Sequence, residues 1–449
     1  MSMIERYCIT KLRQWRMSED RRPLILRGPR QVGKTTIVNE FSKEFDNYLY
    51  LNLEKESDRN PFAMSMPLRD IVALLSARKG ITRTHGDTLI FIDEIQNSPH
   101  AVASLRYFFE ELPEYFVIAA GSLLENMVDF KVSFPVGRVD FLPVHPCSFR
   151  EFLSATGRAP ELLNMTNPDY TLPFHTEYLS LFNTYCIIGG MPEVVQHYVD
   201  HGDVLAVDHI CSRLMRAYSD DVEKYCKHNK LSQVVRHIIQ YGWGEAGATI
   251  TLGGFGGSPY KAREVGEAFR LLQKAMLLEL VYPSTSVVLP SMPEVRRQPK
   301  LLWFDTGLVN YMAKVRKALI GSDDILDIWR GRLGEQVVGQ ELLTLSDDIN
   351  IRRTFWTKGK GESGAEVDFT WALDSNVIPI EVKTGHNAHL KSLHAFMDLS
   401  PVDVAVRVWS GSFSVNELVT SIGKKPFKLI NLPFYLVWDL ENIVRQHLS

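Results

Sequence analysis

Short apolar runs alternate with amphipathic stretches over the N-terminal part of the chain. Four runs have the length and continuity of buried strands, and the segments between them have helical spacing. The runs are LILRG (24–28), YLYLNLE (48–54), TLIFIDE (88–94) and FVIAAGS (116–122). Buried strands that alternate with helices are typical of a parallel sheet covered on both faces. The pattern predicts an α/β domain over residues 1–150, which ends in a loop rich in proline and glycine (134–149).

The middle of the chain, residues 151–315, follows a mainly helical pattern. A glycine-rich stretch, GWGEAGATITLGGFGGSP (242–259), reads as a loop, and YKAREVGEAFRLLQKAMLLELVYP (260–283) predicts a helix that leads into a strand. Residues 230–300 suit either a winged-helix unit or a helical linker domain. No base-reading side chains stand out to decide between these two interpretations.

The last part of the chain, residues 316–449, predicts a separate α/β domain. It contains a helix, then a group of strands, then a second helix. The segments are RGRLGEQVVGQELLTL (330–345) and KSLHAFMDLS (391–400) as helices, with RRTFWTK (352–358), AEVDFTWAL (365–373) and VIPIEVKTG (377–385) as strands.

Composition narrows the class of protein without naming its function. Of 449 residues, 45% are hydrophobic and 23% are charged, the proportions of a globular chain. No apolar run approaches the ~20 residues of a membrane helix, and the N-terminus has no secretory pattern. The 5 cysteines are scattered without a CxxC pair, so we expect a cytoplasmic protein with no membrane partner. A net charge of -3 provides no overall basic field for nucleic acid, although it allows a local basic face.

A phosphate-binding loop is the strongest chemical signal in the sequence. GPRQVGKT (28–35) fits G-x-x-x-x-G-K-[ST] and lies between an apolar strand and a helix, the context that the pattern requires. Its glycines let backbone N–H groups converge on phosphate oxygens at the helix N-terminus. Lys34 would neutralise the β- and γ-phosphates, and Thr35 would complete the coordination of Mg²⁺. The predicted ATP-binding residues are Gly28, Pro29, Arg30, Gln31, Val32, Gly33, Lys34, Thr35 and Thr36.

An acidic pair at the end of the third apolar run supplies the second half of a nucleotide site. Asp93 ends this strand and is predicted to hold Mg²⁺ through its water shell. Glu94 follows beyond the strand end, where a carboxylate can accept the proton of an attacking water. The alternative, an acidic strand-to-loop turn, is weak beside an upstream phosphate loop. The two halves together predict ATP hydrolysis.

Two further residues are candidates for the catalytic step, each with a plain alternative. Ser122 follows the fourth apolar run, where its hydroxyl would contact the γ-phosphate or the attacking water, or would simply stabilise a turn. Arg138 would stabilise transition-state charge, in its own chain or in a neighbouring subunit, or is an ordinary loop arginine. Arg30, inside the phosphate loop, competes for the same role.

A second acidic site is predicted in the last part of the chain. Glu381 and Lys383 are two residues apart on a strand, so their side chains share one face. Asp368 lies on the preceding strand, and Glu335 on the helix before it could add a third carboxylate. Such a set can bind Mg²⁺ and polarise a scissile phosphate. A salt-bridged pair on a solvated strand face is the alternative, which the spacing alone favours.

The order of these motifs resembles a known family. LILRGPRQVGKTT, YLNLE, TLIFIDEIQ, AAGSLLE and GRVDFLPVHPCSFREFL are followed by YCIIGGMPEVV, LLWFDTGLVNYM, GRLGEQVVGQELL and GAEVDFTW…VIPIEVKTG. This series is similar to the AAA-type ATPases of bacteria and archaea that carry a C-terminal domain of unknown function. The resemblance runs from about residue 20 to 400. It implies an AAA+-like P-loop ATPase domain, a helical and winged-helix middle, and a C-terminal domain similar to the PD-(D/E)xK nuclease fold.

The resemblance also assigns roles to individual residues. The residues that match the family's nucleotide site are Lys34, Thr35, Asp93 and Glu94. Those that match the helix acid, the two metal-binding acids and the lysine of the nuclease pattern are Glu335, Asp368, Glu381 and Lys383. The glycine-rich stretch 242–259 fits the family's winged region less well, which weakens the expectation of DNA contact there.

Three functional hypotheses follow, with ATP and Mg²⁺ common to the first two. In the leading one, an ATP-dependent switch or motor works on nucleic acid through a nuclease-like domain. In the rival, the C-terminal fold is an inactive scaffold for a protein partner. A small-molecule kinase is the third, and it leaves the last part of the chain without a role. The sequence leaves the oligomeric state open.

Overall fold

The computed structural model describes residues 4–81, 85–121, 135, 137–165, 168–223, 226, 228–320, 331–349, 353–359, 364–383 and 390–448. Within these ranges, no helix is both long enough and apolar enough to cross a membrane. The described residues form two sheets, one five-stranded and one eight-stranded, with helices packed against them.

The N-terminal sheet is wholly parallel, with the strand order β2-β3-β4-β1-β5. Its strands are β1 (Leu24–Arg27), β2 (Asn47–Asn52), β3 (Thr88–Asp93), β4 (Tyr115–Ala120) and β5 (Asp140–Pro143). The helices of this part are α1 (Cys8–Arg16), α2 (Lys34–Phe41), α3 (Glu56–Arg59), α4 (Leu68–Arg78) and α5 (Pro99–Glu111). The predicted parallel α/β fold is therefore confirmed.

Both faces of this sheet are buried, which explains the continuous apolar runs. In β1, Leu24 and Leu26 enter one hydrophobic cluster, whereas Ile25 enters a second cluster on the opposite face. β3 alternates in the same way, with Phe91 on the first face and Ile92 on the second. Because successive strand residues point to opposite faces, a sheet covered twice needs apolar residues at every position.

The fifth strand was not predicted, because its sequence reads as a loop rich in proline and glycine. β5 lies at the edge of the sheet, where it pairs in parallel with β1 so that Leu24 faces Asp140. An edge strand tolerates proline, since one side of its backbone needs no partner. The loop prediction for 134–149 is wrong at these positions.

The middle part is helical, as predicted, and then enters a strand pair. Its elements are α6 (Phe149–Ala155), α7 (Glu161–Met165), α8 (Pro168–Ile188), α9 (Pro192–His201), α10 (Asp208–Glu223), α11 (Asn229–Tyr241), α12 (Ala262–Lys274), β6 (Leu278–Ser284), β7 (Lys300–Trp303), α13 (Thr306–Met312) and α14 (Arg316–Leu319). β6 and β7 pair antiparallel, and an isolated bridge joins Thr249 to Lys300. The buried faces of α11 and α12 enter the same core cluster as β6 and β7.

The second sheet has the order β12-β13-β11-β10-β9-β8-β6-β7. Its remaining elements are α15 (Arg332–Leu343), β8 (Thr354–Thr357), β9 (Glu366–Leu373), β10 (Asn376–Lys383), α16 (Lys391–Leu399), β11 (Val404–Trp409), β12 (Ser414–Val419), β13 (Pro426–Pro433) and α17 (Leu440–His447). β6 pairs in parallel with β8, with Tyr282 opposite Thr354. The sheet thus extends across the boundary expected near residue 315, because strand pairing joins segments distant in sequence.

Candidate nucleotide site and C-terminal acidic centre

The phosphate loop turns sharply between β1 and α2. Gln31 has φ of 64° and Gly33 has φ of 92°, both in the left-handed region. A Cβ at Gly28 would lie 2.1 Å from the Val144 carbonyl oxygen, so only glycine allows the chain after β5 to pack here. The loop conformation therefore depends on the glycines that the sequence motif requires.

Lys34 is enclosed by the loop and contacts only neutral acceptors among its hydrogen-bond partners. Its Nζ donates to the carbonyl oxygens of Gly28, at 2.9 Å, and Pro29, at 2.8 Å. Burial lowers the pKa of Lys34 to about 8, although the nearby acids Glu94 and Asp93 oppose this shift. A half-buried ammonium group that has no directly bonded anion among the described residues is well placed to bind one.

The loop and the acidic pair meet, as the sequence predicted. Thr35 Oγ1 donates to Asp93 Oδ2 at 2.8 Å, and the Tyr50 hydroxyl donates to the same oxygen at 3.3 Å. Burial raises the pKa of Asp93, and the hydrogen bond from Thr35 partly offsets that rise. The hydroxyl and the carboxylate expected to hold Mg²⁺ thus lie side by side.

Glu94 occupies an uncommon backbone conformation directly after β3. Its φ of 52° lies in the left-handed region, which non-glycine residues rarely adopt. Its backbone N–H donates to Asp93 Oδ1 at 3.0 Å, and its side-chain Oε2 accepts a hydrogen bond from Gln96 Nε2. Strained conformations of this kind concentrate at functional sites, where surrounding contacts hold them.

Arg30 contacts the helical middle part of the chain, so its side chain is not free for the catalytic role considered above. Its Nη1 lies 2.8 Å from Asp221 Oδ1 on α10, and its carbonyl oxygen accepts a hydrogen bond from Tyr218 at 2.8 Å. Glu54 lies farther away, at 3.8 Å from Nη2. These contacts tie the phosphate loop to the helical middle part, a link that spacing in the sequence does not reveal.

The structure separates Arg138 from the phosphate loop of its own chain. Arg138 precedes β5, whose first residue pairs with Leu24 at the start of β1, whereas the loop follows the opposite end of β1. Its Nε lies 2.9 Å from Glu110 Oε1 on α5. An action on the nucleotide of a neighbouring subunit stays a prediction. Ser122 lies outside the described residues.

Arg6 is a site residue that sequence reasoning missed. It is 7% exposed and donates to the Val32 carbonyl at 2.8 Å and to Glu151 Oε1 at 3.0 Å. It thus supports the loop from outside the motif. An apolar cavity of about 190 Å³ adjoins the same place, and its lining residues include Ile4, Ile9, Gly33, Ile37, Pro192 and Gln196. Only Gly33 belongs to the phosphate-loop motif, and no local pattern marks Arg6, Ile4, Ile9, Pro192 or Gln196, because they come from distant segments.

The C-terminal acids also come together, but around an unexpected cation. Lys300 Nζ lies 2.7 Å from Glu335 Oε2, 2.8 Å from Glu366 Oε1 and 3.1 Å from Asp368 Oδ1. Lys300 is 2% exposed and begins β7, in the middle part of the chain. Burial alone lowers the pKa of Lys300, yet the three carboxylates raise it well above its usual value.

The predicted pair on β10 adjoins this cluster. Lys383 Nζ lies 2.6 Å from Glu381 Oε1, and the backbone N–H of Val382 donates to Asp368 Oδ2 at 2.8 Å. Burial, reinforced by neighbouring carboxylates, raises the pKa of Glu335 and of Glu381. In the described part of the chain, no group of three or more histidine, cysteine or acidic side chains is arranged to hold a metal ion. The acids are salt-bridged, chiefly to Lys300, but Asp368 and Glu381 are buried and do not lie on the solvated strand face of the alternative hypothesis.

A buried acid on α15 links the C-terminal part to the phosphate-loop domain. Glu341 accepts hydrogen bonds from the Phe149 backbone N–H, at 3.1 Å, and from the Tyr185 hydroxyl, at 2.6 Å. Burial raises the pKa of Glu341 to about 7, although the Tyr185 hydrogen bond lowers it in part. The same helix carries Glu335 of the acidic centre, so α15 touches both regions.

The parallel sheet, with the phosphate loop and the acidic pair in contact at the ends of its strands, has the P-loop NTPase α/β fold. Residues 20–153 match a family model described as an AAA domain. Residues 179–319 and 330–429 match two further models, each described as a domain of unknown function, DUF8612 and DUF4143. A comparison with curated proteins gives no match.

Several solved structures share part of the course of the chain. The Walker-type ATPase PABY2304 of Pyrococcus abyssi is 15% identical, with 69% of this chain and 96% of that chain covered and a TM-score of 0.46. Orc1 of Aeropyrum pernix in complex with DNA is 12% identical, with 70% and 94% covered and a TM-score of 0.30. The RuvB Holliday junction branch migration motor of Thermotoga maritima is 15% identical, with 62% and 90% covered and a TM-score of 0.28. Likenesses with such TM-scores carry no argument about function.

Proposed function

We propose that the protein is an ATP-hydrolysing switch. The observation that carries this proposal is the 2.8 Å hydrogen bond from Thr35 to Asp93, which joins the phosphate loop to the acidic pair. Glu94 follows directly, so a general base would stand beside the residues that hold the metal and the phosphates.

The residues present suit Mg²⁺-ATP. Lys34 would exchange its carbonyl partners for β- and γ-phosphate oxygens, which are stronger acceptors. Thr35 and Asp93 would hold Mg²⁺, whose charge neutralises the phosphates. The apolar cavity between Ile4, Ile37 and Pro192 would bind the adenine ring of ATP, since this cavity adjoins Gly33 directly before α2.

Hydrolysis then needs one proton acceptor. The oxygen of a water molecule forms a bond to the γ-phosphorus, and the bond from that phosphorus to the bridging oxygen of ADP breaks. Glu94 takes a proton from the attacking water and later releases it to solvent. Lys34 stabilises the charge that moves onto the leaving phosphates.

ATP turnover by Glu94→Gln tests this proposal. The amide cannot accept the proton, so we expect kcat to fall about 10²- to 10⁴-fold with the affinity for ATP retained. Glu111→Gln, an exposed acid at the end of α5, is the matched control and should turn over normally. An unchanged rate in Glu94→Gln would remove Glu94 from the mechanism.

For the C-terminal domain we favour the scaffold role over cleavage. Lys300 provides an ammonium group to Glu335 and Asp368, two of the acids that a nuclease-like site would use for Mg²⁺, and also to Glu366. A fixed cation at this place neutralises the acids without offering the open coordination positions that metal-assisted hydrolysis needs. The domain would then serve as a nuclease-like fold that binds a partner protein.

A metal-dependent nuclease is the second candidate, and one observation favours it. Asp368 and Glu381 meet beside Lys383 and Glu335, which is the set that the family resemblance implies. Mg²⁺- or Mn²⁺-dependent cleavage of single- and double-stranded DNA, with Asp368→Ala as control, separates the two. Cleavage that the variant loses would establish the nuclease, whereas no cleavage by either protein while ATP is hydrolysed supports the scaffold.

Nucleic acid as a partner of the switch has separate support. The order α11, the bridge at Thr249, α12, β6 and β7 is that of a winged-helix unit, in which α12 would correspond to the recognition helix. α12 and the residue before it carry the exposed cations Lys261, Arg263 and Arg270. Stimulation of ATP turnover by DNA would support this partner, and turnover indifferent to nucleic acid would favour a protein.

A further inference from the structure

Gln96 lies two residues after the proposed base, in the short turn Ile95–Asn97 that follows β3. Its Nε2 donates a hydrogen bond to Glu94 Oε2. A carboxylate accepts hydrogen bonds and cannot donate them, so the amide must present its NH₂ group to Glu94. The Gln96 carbonyl oxygen, Oε1, therefore faces away from the carboxylate.

That oxygen is buried and lacks a hydrogen-bond partner within the described part of the chain. It is almost fully inaccessible to solvent, which leaves no room for a water molecule beside it. Packing against its neighbours therefore fixes the orientation of the amide.

Gly121, at the end of β4, explains how the amide reaches this position. A Cβ at Gly121 would lie 2.3 Å from Gln96 Oε1, so only glycine leaves room for the oxygen. β3 and β4 are adjacent parallel strands, and their carboxyl ends lie on the edge of the sheet that carries the phosphate loop. The amide thus bridges two strand ends at the nucleotide site.

We propose that Gln96 positions the base for ATP hydrolysis. Its NH₂ group holds the Glu94 carboxylate in the orientation from which it takes a proton from the attacking water, while its carbonyl oxygen packs against Gly121. This inference rests on the proposed ATP hydrolysis and adds a positioning residue to it.

Steady-state turnover and direct ATP binding of four single variants test the inference. Gln96→Ala removes the hydrogen bond to Glu94, and Gly121→Ala displaces the amide while leaving its chemistry intact. We expect each to lower kcat about 10- to 100-fold, the worth of one hydrogen bond to a charged group, with the Kd for ATP changed less than about twofold. Gln96→Glu cannot donate to Glu94 and should lose at least as much. Asn97→Ala, an exposed neighbour in the same turn, is the control and should keep full activity.

A double-variant cycle distinguishes positioning from general damage to the fold. If Gln96 acts through Glu94, the pair Glu94→Gln with Gln96→Ala should be about as slow as Glu94→Gln alone. Losses that multiply, or a kcat for Gln96→Ala that equals or exceeds the wild-type value, would overturn the role. Absence of ATP turnover in the wild-type protein would overturn the proposed function as well, whereas normal wild-type turnover with an insensitive Gln96→Ala variant would overturn only this inference.

Discussion

Lys34 is half-buried and Lys300 is buried, each beside acids in a different part of this chain. The two lysines differ in the groups that their ammonium nitrogens contact. Lys34 donates to two backbone carbonyls, and burial holds its pKa near 8. Lys300 lies within 3.1 Å of three carboxylates, which hold its pKa well above the usual value. A lysine that lacks a bonded anion is prepared to receive one, whereas a lysine that is already paired stabilises the structure around it. The contrast is consistent with the proposed binding of ATP at Lys34 and with a structural role for Lys300.

The largest effect is expected for the buried ion-pair cluster of Lys300, Glu335, Glu366 and Asp368. Lys300→Met should lower the free energy of unfolding by about 3–5 kcal/mol, because it leaves buried carboxylates without their cation. Chemical denaturation at pH 8 measures this. Lys317→Met, an exposed lysine on α14, is the control and should change little.

The effect of added Mn²⁺ on Tm tests whether the acids around Lys300 can bind a metal ion. In the absence of nucleotide, Mn²⁺ should raise the Tm of Lys300→Met, whose acids are then free to bind a cation, and leave the wild-type Tm unchanged. A wild-type Tm that rises with Mn²⁺ and no longer does so in Asp368→Ala would mean that metal displaces Lys300, and the second site would be open after all.

At the phosphate loop, Lys34→Ala should weaken ATP binding by about 100-fold, because it removes a strong charge-assisted hydrogen bond to the phosphates. Wild-type affinity should fall as pH rises above about 8, because Lys34 is then neutral in the free protein and must gain a proton on binding. Calorimetric titration from pH 7 to 9.5 checks both points. Affinity that is retained in the variant, or a pH dependence that persists in it, would contradict the assignment.

Glu341, the buried acid on α15, should make the free energy of unfolding depend on pH. Its folded pKa of about 7 exceeds the ordinary value of 4.5, so the stability it contributes is present below pH 4.5 and is lost as pH rises through 7. Glu341→Gln removes this loss. Its free energy of unfolding relative to wild type should rise by about 2–3 kcal/mol from pH 5 to pH 8. A difference that is constant with pH would show that Glu341 does not titrate in this way.

The smallest effect is expected at Arg138. Its ion pair with Glu110 is 44% exposed on the arginine side, so Arg138→Ala should cost at most about 1 kcal/mol of stability. ATP turnover in dilute protein should not change, because Arg138 lies at the end of the strands opposite the phosphate loop of its own chain. A loss of turnover that grows with protein concentration would instead show action on a neighbouring subunit.

Much of the nucleotide site was predictable because it is local. Gly28, Gly33, Lys34 and Thr35 lie within eight consecutive positions, and Asp93 with Glu94 ends one apolar strand. Backbone geometry places such residues together wherever the strand–loop–helix unit forms. The parallel order of the buried strands followed from the same local patterns. The sequence by itself thus determined the class of fold and the residues of the candidate nucleotide site that lie close together in the chain.

Only the tertiary structure decided what each site contains besides its motif. Arg6 and the apolar cavity reach the phosphate loop from outside it, and Lys300 reaches Glu335 and Asp368 from a strand in another predicted domain. The tertiary structure also places Arg138 at the end of the strands opposite the phosphate loop. It makes β5 the fifth strand of the parallel sheet. The physical reason is that burial and strand pairing join segments that are far apart in the chain, and no spacing rule records which distant residue supplies a partner.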